Sequence, residues 1–201
     1  AASEAPDKDL LVCALDLVAG VIEGLGPSSE ALVARSELAT RLLYCMRDSQ
    51  PDVRQSAFAV VGDMAKACHR QLLPHMHETL QLLTANLDPA FVSVCNNAIW
   101  AIGEITVQIG AAIAPFADAM LQHLILVLNR QSSFGSYSQP LCECAAITIG
   151  CLGIAAPHQV APHLEIFVQS WCVVMTSYRD DVEKEHAFSG LVAMLAINPN
   201  G

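Results

Sequence analysis

Apolar residues recur along this chain every three or four positions, almost without interruption. That spacing gathers them on one side of an α-helix. It predicts helices over 7–25, 29–48, 52–68, 70–87, 90–110, 114–130, 139–155, 157–176 and 181–196. Turn signals fall between them: Gly24-Leu25-Gly26-Pro27, Gln50-Pro51-Asp52, Asp88-Pro89, the loop 131–138 and Ala156-Pro157. No stretch alternates apolar and polar residues over a useful length, so no strand is predicted.

The helices repeat. DVRQSAFAVVGD (52–63), SVCNNAIWAIGE (93–104) and CECAAITIGC (142–151) align on Gly62, Gly103 and Gly150. Each glycine follows an apolar residue and has an alanine five places earlier. Gly20 joins the series more weakly, and the glycine spacings are 42, 41 and 47 residues, the last stretched by loop 131–138. A helix-turn-helix period of about 42 is the signature of HEAT or armadillo repeats. The predicted fold is all-α: one α-solenoid array over 1–201, with about 4–5 helix pairs. Neither AASEAPDKDLL nor INPNG reads as a polar cap, so the pattern is that of a segment of a longer superhelix.

Helical angles separate a core side from a free side. Around Trp100, the residues Val94, Ala98, Ile102, Ile105 and Ile109 fall within an arc of about 80°, wide enough for a core stripe. Val92, Asn96, Trp100 and Gly103 lie opposite. The matching stripes are Val53, Ala57, Val60, Met64 and Cys68 on one neighbour, and Leu141, Ala145, Ile149 and Leu152 on the other. Gln55, Ala59, Gly62 and Lys66, and likewise Glu143, Ile147 and Gly150, face away. Trp100 aligns with Ile147, and Glu104 with Asp63. In a solenoid the second helices usually line the concave side, which binds extended ligands. The expectation is an open concave backbone at the glycines, with Trp100 either an anchor for a ligand or packed on a neighbouring helix.

Composition sharpens this picture. Hydrophobic residues make up 53% and charged residues 15%, against about 25% charged in an average soluble domain. That excludes disorder and suits a solenoid, whose stacked pairs share one long core. The net charge is −10, which argues against direct nucleic-acid binding. Between Arg70 and Arg179 the only base is Arg130, against six acids. Such a surface either attracts a basic ligand or keeps an apolar protein soluble. The eight cysteines include no CxxC pair; they fit buried positions in a reducing compartment. His75-Met76-His77 is a weak metal motif, and no metal or cofactor is predicted. No nucleophile–base set or phosphate loop stands out, so the chain reads as no enzyme. The start carries no signal-peptide pattern. The uncharged run from Cys144 to Pro162 is divided by Gly150, Gly153 and Pro157, so no membrane span is predicted.

The same residues carry a family resemblance. DKDLLVCALDLVAGVIEGLG, LVARS, DVRQSAFAVVGDMAKAC, SVCNNAIWAIGEI and AAITIG resemble the C-terminal half of a karyopherin-β family nuclear import receptor, from about Asp7 to Gly201. The resemblance implies a cargo receptor without catalysis, shuttling between cytoplasm and nucleus. It implies binding of the basic or hydrophobic part of a proline-tyrosine-type nuclear localisation signal in extended form. By position, Asp16, Glu23 and Asp63 would meet cargo bases, and Val92, Asn96, Trp100 and Ile147 would form an apolar and amide site. Glu104 joins them through its alignment with Asp63. Ran GTPase and nucleoporins would be engaged through the full-length receptor, whose Ran-binding arch, acidic release loop and Pro-Tyr pocket have no counterpart in these residues. Three positions depart from the family: Val92 for Ile, Ile99 for Thr, and Cys144 for an Asn that would hold the cargo backbone. The alternative is a structural scaffold segment for other protein contacts.

Overall fold

The computed structural model describes residues 7–129 and 139–200; the predicted loop 131–138 lies outside the described residues. The described elements are helical, with no strand among them. Five long helices are α1 (Lys8–Leu25), α4 (Pro51–Cys68), α6 (Val92–Ile109), α8 (Gln139–Ala155) and α11 (Val182–Ile197). Between them lie α2 (Glu30–Val33), α3 (Leu38–Cys45), α5 (Met76–Ala85), α7 (Ala114–Asn129), α9 (Pro157–Val160) and α10 (Leu164–Ser177).

Local chemistry sets the helix ends. The Asp7 carboxylate accepts from the Asp9 N–H at 3.0 Å and starts α1, satisfying one of the free amides of its first turn. Asp181 does the same for α11, accepting from the Lys184 N–H at 3.0 Å. Gly26 (φ 52°) and Gly110 (φ 54°) close α1 and α6 in the left-handed region, where a side chain would be strained.

Three helices predicted as continuous are interrupted. The stretch 29–48 breaks after Val33, where the Ser36 hydroxyl donates to the Val33 carbonyl at 2.8 Å and accepts from the Leu38 N–H at 3.2 Å. Such local bonds compete with the helix ladder. The stretch 70–87 begins as 3-10 turns around Pro74 and becomes α-helical only at Met76. In 157–176 a 3-10 turn at Ala161–His163 surrounds Pro162, which lacks the N–H a continuing helix needs.

The long helices stack side by side in the order α1, α4, α6, α8, α11. The remaining helices form the second layer, where α5 packs on α7 and α7 on α10. One continuous core runs between the layers from Leu15 to Met194. The predicted stripes lie in it: Val53, Ala57, Val60 and Met64 are fully buried, as are Ala98, Ile102, Ala145 and Ile149. Polar side chains tie α6 to the backbone of α4 and α8 to that of α6. The Asn97 amide donates to the Gln55 carbonyl at 3.1 Å, and the Thr148 hydroxyl to that of Ile99 at 3.2 Å.

Two stretches, Lys8–Val33 and Val92–Asn129, are long and apolar enough to cross a membrane by composition alone. Much of the second is buried against neighbouring helices of the stack. The uncharged run Cys144–Pro162 turns a corner of 118° between α8 and the segment beginning at Pro157.

Candidate functional site

The exposed side of the long-helix row carries a groove of ≈ 690 Å³. Its floor is α8, with Cys144, Ile147, Thr148 and Cys151. One wall is α6, with Asn96, Trp100, Glu104 and Val107. The other is the turn into α11, with Tyr178, Arg179, Val182 and Glu183. The groove therefore brings together Asn96, Trp100, Glu104 and Ile147, all of them predicted site residues.

The other four predicted residues do not line it. Val92 stands at the start of α6 and is 44% exposed. Asp16 and Glu23 are exposed on α1, two helices away, and Asp63 is half-buried on α4. Asp63 nonetheless forms an electrostatic link to the groove. Burial, then the Glu23 carboxylate, push its pKa up to about 6; Lys66 opposes them and Glu104 adds a smaller push. Glu104 is also raised, chiefly by burial, with Lys66 and a hydrogen bond from Trp100 pulling it down and Glu183 pushing it up. Carboxylates from α1, α4, α6 and α11 thus share one field. A cation entering that field is favoured by the charges already crowded there.

Trp100 has two roles at once. It lines the groove, yet its six-membered ring covers Gly62 of α4, where an added Cβ would stand 2.2 Å from Cζ3. The Lys66 ammonium lies 5.9 Å from the indole centroid, within cation–π range. Gly103 and Gly150 are likewise buried against the following helix. A Cβ at Gly103 would stand 3.0 Å from the Thr148 hydroxyl, and one at Gly150 would stand 2.5 Å from the Cα of Ala187. This corrects the expectation of an open backbone: the aligned glycines are seats for the next helix of the row. Gly20, the weaker member, has open space around it.

Cys144, the position at which the resemblance implies an asparagine, serves as a contact between helices. Its thiol donates to the Asn96 carbonyl at 3.7 Å. Burial, the largest cause, pushes its pKa up, so it stays a protonated junction between α8 and α6. The far wall was not predicted. Tyr178 and Arg179 sit at the turn between α10 and α11, where helical periodicity assigns no face, and Glu183 lies in the first turn of α11; their only sequence signal is the charge cluster that follows an uncharged stretch.

A family model described as "Importin subunit beta-1-like, TPR repeats" matches residues 6–183. Transportin-1 of Homo sapiens is 46% identical over 198 residues, covering 98% of this chain. Transportin of Dictyostelium discoideum is 41% identical over 199 residues and 99% of the chain. Importin subunit beta-2 of Schizosaccharomyces pombe is 38% identical over 200 residues and 98% of the chain. The chain spans 22%, 21% and 22% of the lengths of these three relatives. Among solved structures, a designed armadillo repeat protein superposes with a TM-score of 0.61 at 16% identity, covering 95% of this chain and 96% of that one. A second designed armadillo protein, in complex with the peptide (KR)4, matches with the same TM-score and identity over 95% of each chain. At that identity the likeness is one of fold. Stacked helix pairs, the 42-residue period and the family match over 6–183 agree: the chain belongs to the importin-β-like repeat family, as a segment similar to the transportins.

Proposed function

We propose that this chain is a cargo-binding segment of a nuclear import receptor. It takes the basic and hydrophobic part of a proline-tyrosine-type nuclear localisation signal, laid in extended form across the long-helix row. The observation that carries this reading is the groove, in which the partly exposed Trp100 and Ile147 lie beside Glu104, within the field of Asp63 and Glu23. An aromatic and a branched apolar side chain can hold an aliphatic ligand residue. The carboxylates along α1, α4 and α6 favour neighbouring basic residues. Neighbouring helices lie about 8–10 Å apart and an extended peptide advances ~3.3 Å per residue, so about three cargo residues would cross each helix. Asp16, Glu23 and Asp63 would meet cargo bases, while Val92, Asn96, Trp100 and Ile147 would hold the apolar part. In this reading the chain has no catalytic role. Ran and nucleoporins would act on the longer receptor, which would shuttle between cytoplasm and nucleus.

Calorimetry with a basic–hydrophobic signal peptide tests the proposal. Trp100→Ala and Asp63→Lys should each weaken binding about tenfold or more, and the Asp63 effect should shrink in high salt. Unchanged affinity in both variants would defeat it.

One observation favours the second reading, a structural scaffold segment: the Trp100 ring covers Gly62 of its own solenoid. In a Trp171→Phe background, Trp100 fluorescence separates the two. A signal that responds to peptide supports cargo binding; one that ignores peptide and resists quenchers supports the scaffold.

A further inference from the structure

The groove continues past Ile147 to the turn between α10 and α11, an end to which the family resemblance assigns nothing. There the hydroxyl of Tyr178 donates to the Glu183 carboxylate at 2.6 Å. The chain's own Arg179 lies on the same two groups. Its guanidinium is 5.8 Å from the Tyr178 ring centroid and 3.5 Å from Glu183, and it also pairs with Asp181. A phenol face beside a carboxylate matches a planar guanidinium, which stacks and pairs at once, better than it matches an ammonium. Arg179 is a weakly held occupant: its side chain is 74% exposed, and exposed ion pairs of this kind contribute little. Across the floor stands Glu104, whose carboxylate is repelled by that of Glu183. Glu143 adds a third acid to the groove. The lining is therefore short of positive charge even with Arg179 in place.

Resting on the peptide-binding reading above, we propose that Tyr178 and Glu183 form a further subsite that takes an arginine of the extended peptide, displacing Arg179. Arg179 is the internal stand-in that keeps the subsite filled when no peptide is bound. One helix step separates α8 from α11, so the arginine belongs about three residues from the apolar residue that rests on Ile147. The subsite makes the groove selective for a spacing between an apolar anchor and an arginine, not for positive charge in general.

Calorimetry on the whole 201-residue chain tests this with three peptides. All carry the apolar anchor; at the position three residues beyond it, in either direction, they carry Ala, Arg or Lys. In the unmodified chain, Arg should improve affinity over Ala about tenfold, and Lys by clearly less. In Glu183→Gln the Arg-over-Ala ratio should fall to within about twofold, and in Arg179→Ala it should rise severalfold. Arg179 lies in the turn before α11 and Glu183 in its exposed first turn, and thermal melts of each variant establish that the stack is intact. Two results overturn the subsite while leaving the wider reading standing. One is an Ala peptide that binds through Trp100 and gains nothing from Arg; the other is a gain undiminished in Glu183→Gln. Failure of every peptide to bind overturns both.

Discussion

The indole of Trp100 rests on Gly62, the glycine that opens the repeat alignment, so closely that a single Cβ there would overlap its ring. The contact joins α6 to α4 and holds the remaining edge of the indole towards the groove. The residue that reads as a ligand anchor is therefore also a packing residue, and its orientation depends on a glycine one repeat earlier. The Gly62 contact covers only part of the indole, which also lines the groove.

Substituting the aligned glycines separates the two roles. In Gly62→Ala the new methyl meets a side chain that is partly free to swing. The stability loss should be about 1 kcal/mol, near the low end for overpacking, with a marked loss of peptide affinity. In Gly150→Ala it meets the Ala187 backbone at 2.5 Å, which cannot move without α11. That loss should be larger, about 2–3 kcal/mol. Thermal melts and calorimetry on both variants check the ordering; equal losses in both would refute it.

Asp63 gives the stability a pH dependence. Its folded-state pKa of about 6 lies above the ordinary aspartate value of 3.8, so the folded chain holds this proton more tightly than the unfolded chain. Its contribution is full below the lower value and is lost as pH rises towards the higher one. The groups facing it are Glu23, Glu104 and Lys66. Asp63→Asn should flatten that slope and raise stability at neutral pH by about 1 kcal/mol, allowing for solvent screening. The same change should weaken binding of a basic peptide. Melts across the window, with calorimetry at neutral pH, measure both; a slope unchanged by the substitution would remove Asp63 as its source.

Trp171 is the opposite kind of tryptophan. It is fully buried; its indole N–H donates to the Ala146 carbonyl at 2.8 Å, and its ring meets Phe188 edge-on at 5.0 Å. Trp171→Phe should cost about 2 kcal/mol through the lost hydrogen bond and the space left behind. Peptide affinity should be unchanged, which makes the variant usable for Trp100 fluorescence. A melt and a titration decide this.

Among the described residues, nothing covers one apolar side of the first long helix. Leu10, Leu17 and Val21 share one face of α1 and are 69%, 69% and 46% exposed. Contiguous exposed apolar surface drives association, so the isolated chain should self-associate as concentration rises. Leu17→Glu should lower the mass seen by light scattering. A monodisperse monomer at high concentration in the unmodified chain would contradict this.

The stripe on α4 shows how much was legible without coordinates. Val53, Ala57, Val60 and Met64 recur at three- and four-residue steps, and all are fully buried. Asn96, Trp100 and Ile147 were readable as off-core residues for the same reason, because a helical wheel orders one helix about its own axis. The interruption at Ser36 was not legible, since a hydroxyl turning back on the backbone leaves the apolar period intact.

The sequence by itself determined the helices, their inward stripes and the 42-residue period, because each is encoded by spacing along the chain. Only the tertiary structure decided what lies beside each helix. A wheel has an inside and an outside, but a helix in this row also has neighbours on its flanks. That is why Gly62, Gly103 and Gly150 are buried where the wheel left them open. It is also why carboxylates distant in sequence, Glu23, Asp63, Glu104 and Glu183, act on one another. Stacking places side chains of separate repeats within reach, and that proximity carries no local signature in the chain.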